Sequence, residues 1–121
     1  MLIITNVEVM SAGSYPGTVG EITVVDLDKI VDAFRECDYQ PNVTLGKDSS
    51  GQHVFCGWIK SVRRVDSKLY VDIDAADEWA AKIKAGLYTY SSEIYFNLKR
   101  VGKVFPLALK SVWLLGKGRV R

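Results

Sequence analysis

Hydrophobic residues recur at helical spacing in the stretch that follows Thr23. Charged residues occupy most of the opposite face, which is typical of an amphipathic helix with one side packed on a core. Thr23 and Asp26 form a variant capping box, in which each side chain bonds the backbone N–H of the other residue. We therefore predict a helix that begins after Thr23 and runs to about Cys37. Its apolar face consists of Leu27, Ile30, Val31 and Phe34.

A second helix is predicted to run through Ala85. Asp74 is its expected N-cap, and Gly86 is its expected end because glycine readily adopts the left-handed conformation of a helix terminus. Acidic residues fall in its first turn and lysines in its last turn, as the helix dipole favours. These charged residues are Asp77, Glu78, Lys82 and Lys84.

Alternating apolar residues and β-branched runs predict strands along most of the remaining chain. Asp66 and Ser67 separate two of these strands as the turn of a hairpin. Gly57, inside the first strand of that hairpin, indicates a bulge or a close backbone approach. Polar and glycine-rich stretches predict loops at 11–17 and 47–51. The expected strands are 2–10, 53–65, 68–74, 88–95 and 104–115, with a short extended piece at 43–46.

The order of these elements, β-α-β-β-α-β-β, predicts an α+β fold. We expect a mainly antiparallel sheet or small β-barrel with two packed helices. Pro106 argues against a central strand position at that point, because proline cannot donate a ladder hydrogen bond. One domain is expected over residues 1–116, with residues 117–121 as a frayed C-terminal tail.

Composition narrows the function classes. The net charge is +2 and no long basic run occurs, so nucleic-acid binding is not expected. No apolar run approaches the length that crosses a membrane, so no membrane partner is expected either. Two cysteines, Cys37 and Cys56, are expected to be free buried thiols. With His53 as the sole histidine, a zinc site within the chain is not expected, and no cofactor is predicted.

The stretch from Tyr88 to Tyr95 carries the first candidate for chemistry. Ser91 and Ser92 stand side by side in a run of aromatic and β-branched residues that favours a strand. A serine hydroxyl becomes a nucleophile only when a neighbouring base accepts its proton. The alternative is a half-buried strand whose serines face water or form local hydrogen bonds.

Several short segments, taken in order, resemble the protease of Mu-like tailed phages and prophages. That family belongs to the prohead maturation proteases, which resemble the herpesvirus assemblin fold. The likeness covers about residues 7–116. The segments are Gly13–Gly17, Ile22–Thr23 with Asp26–Leu27 and Ile30–Val31, Val43–Gly46, Gly57–Ile59, Leu69–Asp72, Ile83–Tyr88, Ser91–Glu93 with Tyr95, and Val112–Gly116.

This resemblance implies a serine endopeptidase that trims scaffold and capsid proteins inside the assembling prohead, in the host bacterial cytoplasm. Phage capsid and scaffold proteins are then its partners, and a homodimer is a further implied possibility. Ser91 falls at the position of the nucleophile, and Glu93 at the position of the acid in the same motif. The alternative is a non-catalytic capsid-assembly or scaffold-associated module with the same fold.

The general-base position of the family carries Lys47 in place of histidine, which leaves three interpretations open. Activity has been lost; or Lys47 is the base of a Ser–Lys dyad, which requires a strongly lowered pKa; or His53 supplies the base. The family also often has a histidine just before its Val-x-Leu-Leu-Gly ending, where this chain has Lys110 and Ser111.

An acidic residue that orients the base is also sought, because such a group holds a catalytic imidazole in its working position. Asp72, Asp74 and Glu93 are the candidates. The sequence does not favour one of these three candidates over the others.

Overall fold

Strands account for most of the chain in the computed structural model, which describes residues 2–15, 20–37, 40–47, 53–86, 88–100 and 102–116. The elements follow one another as β1 (Leu2–Ser11), β2 (Gly13–Tyr15), β3 (Gly20–Ile22), α1 (Val24–Glu36), β4 (Asn42–Lys47), β5 (His53–Val65), β6 (Lys68–Ala75), α2 (Asp77–Lys84), β7 (Tyr88–Arg100) and β8 (Lys103–Gly116).

Six of these strands form one mixed sheet in the order β1-β6-β5-β4-β8-β7. All neighbouring pairs are antiparallel except β4 and β8, which run parallel with Asn42 opposite Ser111 and Thr44 opposite Trp113. Counting directions across the sheet, the two edge strands β1 and β7 point the same way. β2 and β3 form a separate two-stranded antiparallel sheet.

The predicted fold class is therefore wrong. The expectation was an α+β fold with a mainly antiparallel sheet or small barrel, whereas the fold is mostly β and its large sheet is mixed. The two predicted helices are present. The error lies in β4, which the sequence marks only as a short extended piece. Its parallel partner, β8, comes much later in the chain, and local periodicity carries no information about such a pairing.

The hydrophobic core lies between one face of the large sheet and α1. Leu27 and Ile30 of α1 are fully buried there, against strand residues such as Ile59 and Val112. The alternation predicted for the return strand of the hairpin is confirmed, because β6 buries every second residue. The two strands of that hairpin pair up to Val65 opposite Lys68.

The ends of α1 confirm the sequence prediction, and the start of α2 corrects it. Thr23 Oγ1 accepts a hydrogen bond from the Asp26 N–H at 3.1 Å, and Asp26 Oδ2 accepts one from the Thr23 N–H at 2.9 Å, which completes the capping box. Asp74 does not cap α2. It lies within β6, and Ala76 occupies the N-cap without a side-chain hydrogen bond. Strand pairing has extended β6 past the predicted boundary.

Loop predictions are corrected where they meet a strand. Lys47 is the last residue of β4, and residues 48–52, the rest of the predicted polar loop, lie outside the described residues. The predicted loop at 11–17 contains β2, and its last residues also lie outside them. The predicted frayed tail at 117–121 does so as well.

Two backbone predictions within strands are confirmed. Gly57 of β5 lies next to a register shift in the pairing of β5 with β4. It also packs closely against the backbone of β6. Pro106 lies in β8 where β7 is its one neighbour among the described strands, because β4 pairs with β8 only around residues 111–113. The proline therefore interrupts no ladder on that side.

A polar network on β5 and β6 holds an irregular part of β1 in place. Asp72 Oδ2 accepts a hydrogen bond from the Ser61 hydroxyl at 2.7 Å, and its Oδ1 accepts from the Asn6 N–H at 3.0 Å and from the Arg63 guanidinium at 3.1 Å. Arg63 also donates to the Asn6 side chain. Asn6 has a positive φ of 58° and lies in the register shift between β1 and β6. The Ser61 hydrogen bond is the largest cause of a lowered pKa of Asp72.

Replacement of Asp72 by asparagine is expected to lower the free energy of unfolding by about 1 kcal/mol at neutral pH. The folded-state pKa of Asp72 lies below its usual value. Its contribution is therefore complete above the unfolded-state pKa of about 4 and is lost as the pH falls through the folded-state pKa. Urea unfolding of both proteins between pH 7 and pH 3 measures this. The exposed Asp32 of α1, changed to asparagine, is the matched control, and a difference that stays constant with pH contradicts the prediction.

Candidate functional site

A groove of about 890 Å³ runs between the two edge strands of the large sheet. Residues Glu8–Ser11 of β1 form one wall, and Tyr88–Ser92 of β7, with Ile94, form the other. Most of the lining side chains carry a hydroxyl group. The volume falls within the range of small-molecule and peptide clefts in proteins.

Ser92 bridges the two walls of the groove. Its hydroxyl donates a hydrogen bond of 2.9 Å to the backbone carbonyl oxygen of Val9. β1 and β7 are in contact there but form no ladder with each other. The Ser92 hydroxyl therefore has a structural role that joins the two edges.

Ser91 lines the same groove on β7. Since side chains alternate along a strand, Ser91 faces the side of the sheet opposite to Ser92, away from the core. It is half-buried, and its partner across the antiparallel pair is Trp113 of β8. The predicted nucleophile thus lines the groove, on a strand that pairs with β8 alone among the described strands.

The two candidate bases lie on strands that do not neighbour β7. Lys47 of β4 pairs with His53 of β5, next in register after the pair formed by Thr44 and Phe55. Thr44 in turn lies opposite Trp113, the partner of Ser91. One strand, β8, separates β4 from β7, which corresponds to about 10 Å across the sheet. The structure describes the backbone of Lys47 and His53 but not their side chains.

The carboxylate of Glu93 points to β8. Its Oε1 accepts hydrogen bonds from the Ser111 hydroxyl at 2.9 Å and from the indole N–H of Trp113 at 2.6 Å. The ammonium group of Lys110 lies 3.9 Å from its Oε2. Asp72 is engaged in the network described above, and neither it nor Asp74 lines the groove. The structure therefore gathers Ser91, Glu93 and Trp113 and keeps the aspartates apart from them.

Sequence reasoning missed the contribution of β1 and of the segment after it. Val9 supplies the carbonyl that Ser92 binds. Tyr15, whose hydroxyl donates to the Ser11 carbonyl oxygen at 2.6 Å, also lines the groove. No local signal marks these residues, because the strand that they face lies far along the chain.

Other reactive groups lie away from the groove. Cys37 and Cys56 are free thiols, as predicted, but only Cys56 is buried and Cys37 is partly exposed. Burial raises the pKa of Cys56 to about 11, so this thiol stays protonated and unreactive at neutral pH. Within the described ranges, no group of three or more histidine, cysteine or acidic residues is arranged to hold a metal ion.

Neither described helix has the length and apolar character needed to cross a membrane. Comparison of the chain with protein-family models, with curated proteins and with solved structures gives no match. A functional assignment for this chain therefore depends on the geometry around Ser91 and on the resemblance of its short motifs.

Proposed function

We propose that this chain is a serine endopeptidase domain of the prohead maturation type, with Ser91 as the nucleophile. The observation that supports this most is the position of Ser91, at the rim of a groove and on a strand with a free edge. The resemblance of the ordered motifs supplies the substrate class, which is the scaffold and capsid proteins of a phage, cleaved inside the prohead in the bacterial host.

The groove is suited to an extended polypeptide. Edge strands present unpaired N–H and C=O groups, with which an added strand can form a ladder. Because β1 and β7 point the same way, a segment that runs antiparallel to β7 also runs antiparallel to β1, and it replaces the hydrogen bond from Ser92 to Val9 where it passes that point. A segment paired with β7 passes directly beside Ser91, where its carbonyl carbon is open to attack.

The proton of Ser91 needs an acceptor before the hydroxyl can attack. The resemblance assigns this role to position 47, and the backbone of Lys47 lies one strand beyond β8. Lysine has a long flexible stem and acts as a base when its pKa is lowered by its surroundings. We therefore keep a Ser91–Lys47 dyad as the catalytic arrangement, with His53 as the other candidate base.

Labelling with a fluorophosphonate tests this proposal. The reagent forms a covalent bond to an activated serine, and mass spectrometry of the digested protein locates the adduct. An adduct at Ser91 supports the endopeptidase. A protein that stays folded and takes up no reagent at any residue contradicts it.

A second candidate function is a non-catalytic assembly module that binds an extended polypeptide in the same groove. One observation favours it: the described residues that line the groove include neither lysine nor histidine, and Glu8 is their one charged member. Such a module would bind a scaffold segment without cleaving it.

Substitutions at position 47 separate the two functions. Lys47→Met is expected to lower the rate of Ser91 labelling at least about 100-fold if lysine is the base, because general-base assistance typically contributes that much. Lys47→His is expected to preserve or raise the rate. A labelling rate that is the same in all three proteins excludes Lys47 as the base, and His53→Asn then tests the other candidate.

A further inference from the structure

A rigid group of side chains stands beside Ser91 on the outward face of the sheet. Glu93 receives the hydrogen bonds from Ser111 and Trp113 on one carboxylate oxygen, and the indole N–H also lies 3.1 Å from the Ser111 hydroxyl. Charge-assisted bonds of this length hold a donor in one orientation more firmly than neutral bonds do. The Trp113 indole is therefore held in one position.

The strand pairing places Trp113 next to Ser91. Residues paired directly across an antiparallel ladder have their Cβ atoms about 5 Å apart on the same face of the sheet. Trp113 is the direct partner of Ser91, but its indole N–H reaches Glu93, two residues further along β7. The ring therefore begins opposite Ser91 and leans along the outward face towards the pair formed by Glu93 and Ser111.

On the side opposite to β7, β8 is flanked by β4. Thr44 of β4 lies opposite Trp113 on that side and is only 4% exposed. Ser91 is therefore bounded by the groove on one side and by a fixed aromatic wall on the other.

We infer that Trp113 determines the size of the substrate side chain accepted beside Ser91, and that Glu93 is a positioning residue that holds the indole in place. This inference rests on the proposed function, because it concerns the substrate of the same nucleophile. A strand paired with β7 projects alternate side chains onto the outward face, where the fixed ring limits their size. Small side chains are accepted next to the scissile carbonyl, and large ones are excluded.

Two aminoalkyl diphenyl phosphonates test the inference. One carries a methyl group and the other a benzyl group on the carbon bound to phosphorus. In the reaction the Ser91 oxygen forms a bond to phosphorus, one phosphorus–phenoxide bond breaks, and the serine proton leaves with the phenoxide as phenol. The measured quantity is the ratio of the two labelling rates, which a general loss of folded protein leaves unchanged.

We expect the wild-type protein to react at least about tenfold faster with the methyl reagent, and Trp113→Ala to remove most of this preference, on the scale of one or two missing methylene-size contacts in a pocket. Glu93→Ala should reduce the preference too, whereas Glu93→Gln, whose amide oxygen still accepts the indole N–H, should restore it. Trp58→Ala is the matched control, because Trp58 lies on β5, away from Ser91, and its ratio should equal that of the wild type.

The outcomes separate this inference from the proposed function. If Ser91 is labelled but the ratio is the same in the wild type, Trp113→Ala and Glu93→Ala, the role of the indole is overturned and the endopeptidase stands. If neither reagent labels Ser91 in the folded wild-type protein, the endopeptidase and the inference fall together.

Discussion

Replacement of Ser91 by alanine is expected to lower the rate of covalent labelling by a fluorophosphonate at least about 1000-fold, because removal of a serine nucleophile removes the reacting oxygen itself. The fold should be preserved. Ser91 is half-buried at the rim of the groove, and the change deletes one hydroxyl without opening a core cavity. Labelling kinetics and a urea unfolding curve on the same preparations measure both effects.

The neighbouring serine gives a matched control. Ser92→Ala removes the hydroxyl that donates to the Val9 carbonyl oxygen, so it is expected to cost about 1 kcal/mol of stability while labelling persists within about tenfold. The two variants should therefore have opposite effects. Ser91→Ala loses reactivity and keeps its stability, whereas Ser92→Ala keeps its reactivity and loses the hydrogen bond between the edge strands. Labelling that survives Ser91→Ala and disappears in Ser92→Ala would reverse the assignment of the nucleophile.

Replacement of Gly57 by alanine is expected to lower the free energy of unfolding by about 3 kcal/mol, at the upper end of the usual cost of overpacking. A Cβ atom at this position would lie 2.5 Å from the carbonyl oxygen of Asp74 and 2.9 Å from the Cα of Ala75. Both are backbone atoms of the neighbouring strand, so no side-chain rotation relieves the contact. β5 and β6 would have to separate locally, next to the start of α2.

Chemical denaturation followed by circular dichroism measures this loss. The slope of the free energy of unfolding against denaturant concentration should be unchanged if the unfolded state is the same. Lys60→Ala serves as the control, since it places alanine in the same strand at an exposed position. It should change stability by less than about 0.5 kcal/mol. A Gly57→Ala protein as stable as Lys60→Ala would show that the two strands part without cost.

The position of β7 at the edge of the sheet explains why an extended polypeptide can reach Ser91. A serine on a central strand would have ladders on both sides, and no polypeptide could approach it in extended form. β7 is paired on one side by β8 and faces β1 across the groove, tied at Ser92. The edge location therefore gives Ser91 the same access to a strand-like substrate that edge strands give to peptides in general.

Elements defined by neighbouring residues could be predicted from the sequence. The α1 helix needs only the spacing of Leu27 and Ile30 and the local exchange of hydrogen bonds between Thr23 and Asp26. The β5–β6 hairpin needs only its turn and its alternating residues, and Gly57 is conspicuous as a glycine in a strand. All of these depend on interactions a few residues apart, or across a single tight turn, which the sequence displays directly.

Only the tertiary structure decided the relations between distant strands. The parallel pairing of β4 with β8, the groove between β1 and β7, and the hydrogen bonds from Trp113 and Ser111 to Glu93 each join residues brought together by the whole sheet. Asp74 is a case in which local sequence gave a wrong prediction. Its neighbours suit a helix cap, but cross-strand pairing keeps it in β6. Ser91 could be named from its motif, but the free edge, the groove and the indole beside it arise from strand order and register, which depend on contacts between residues far apart in the chain.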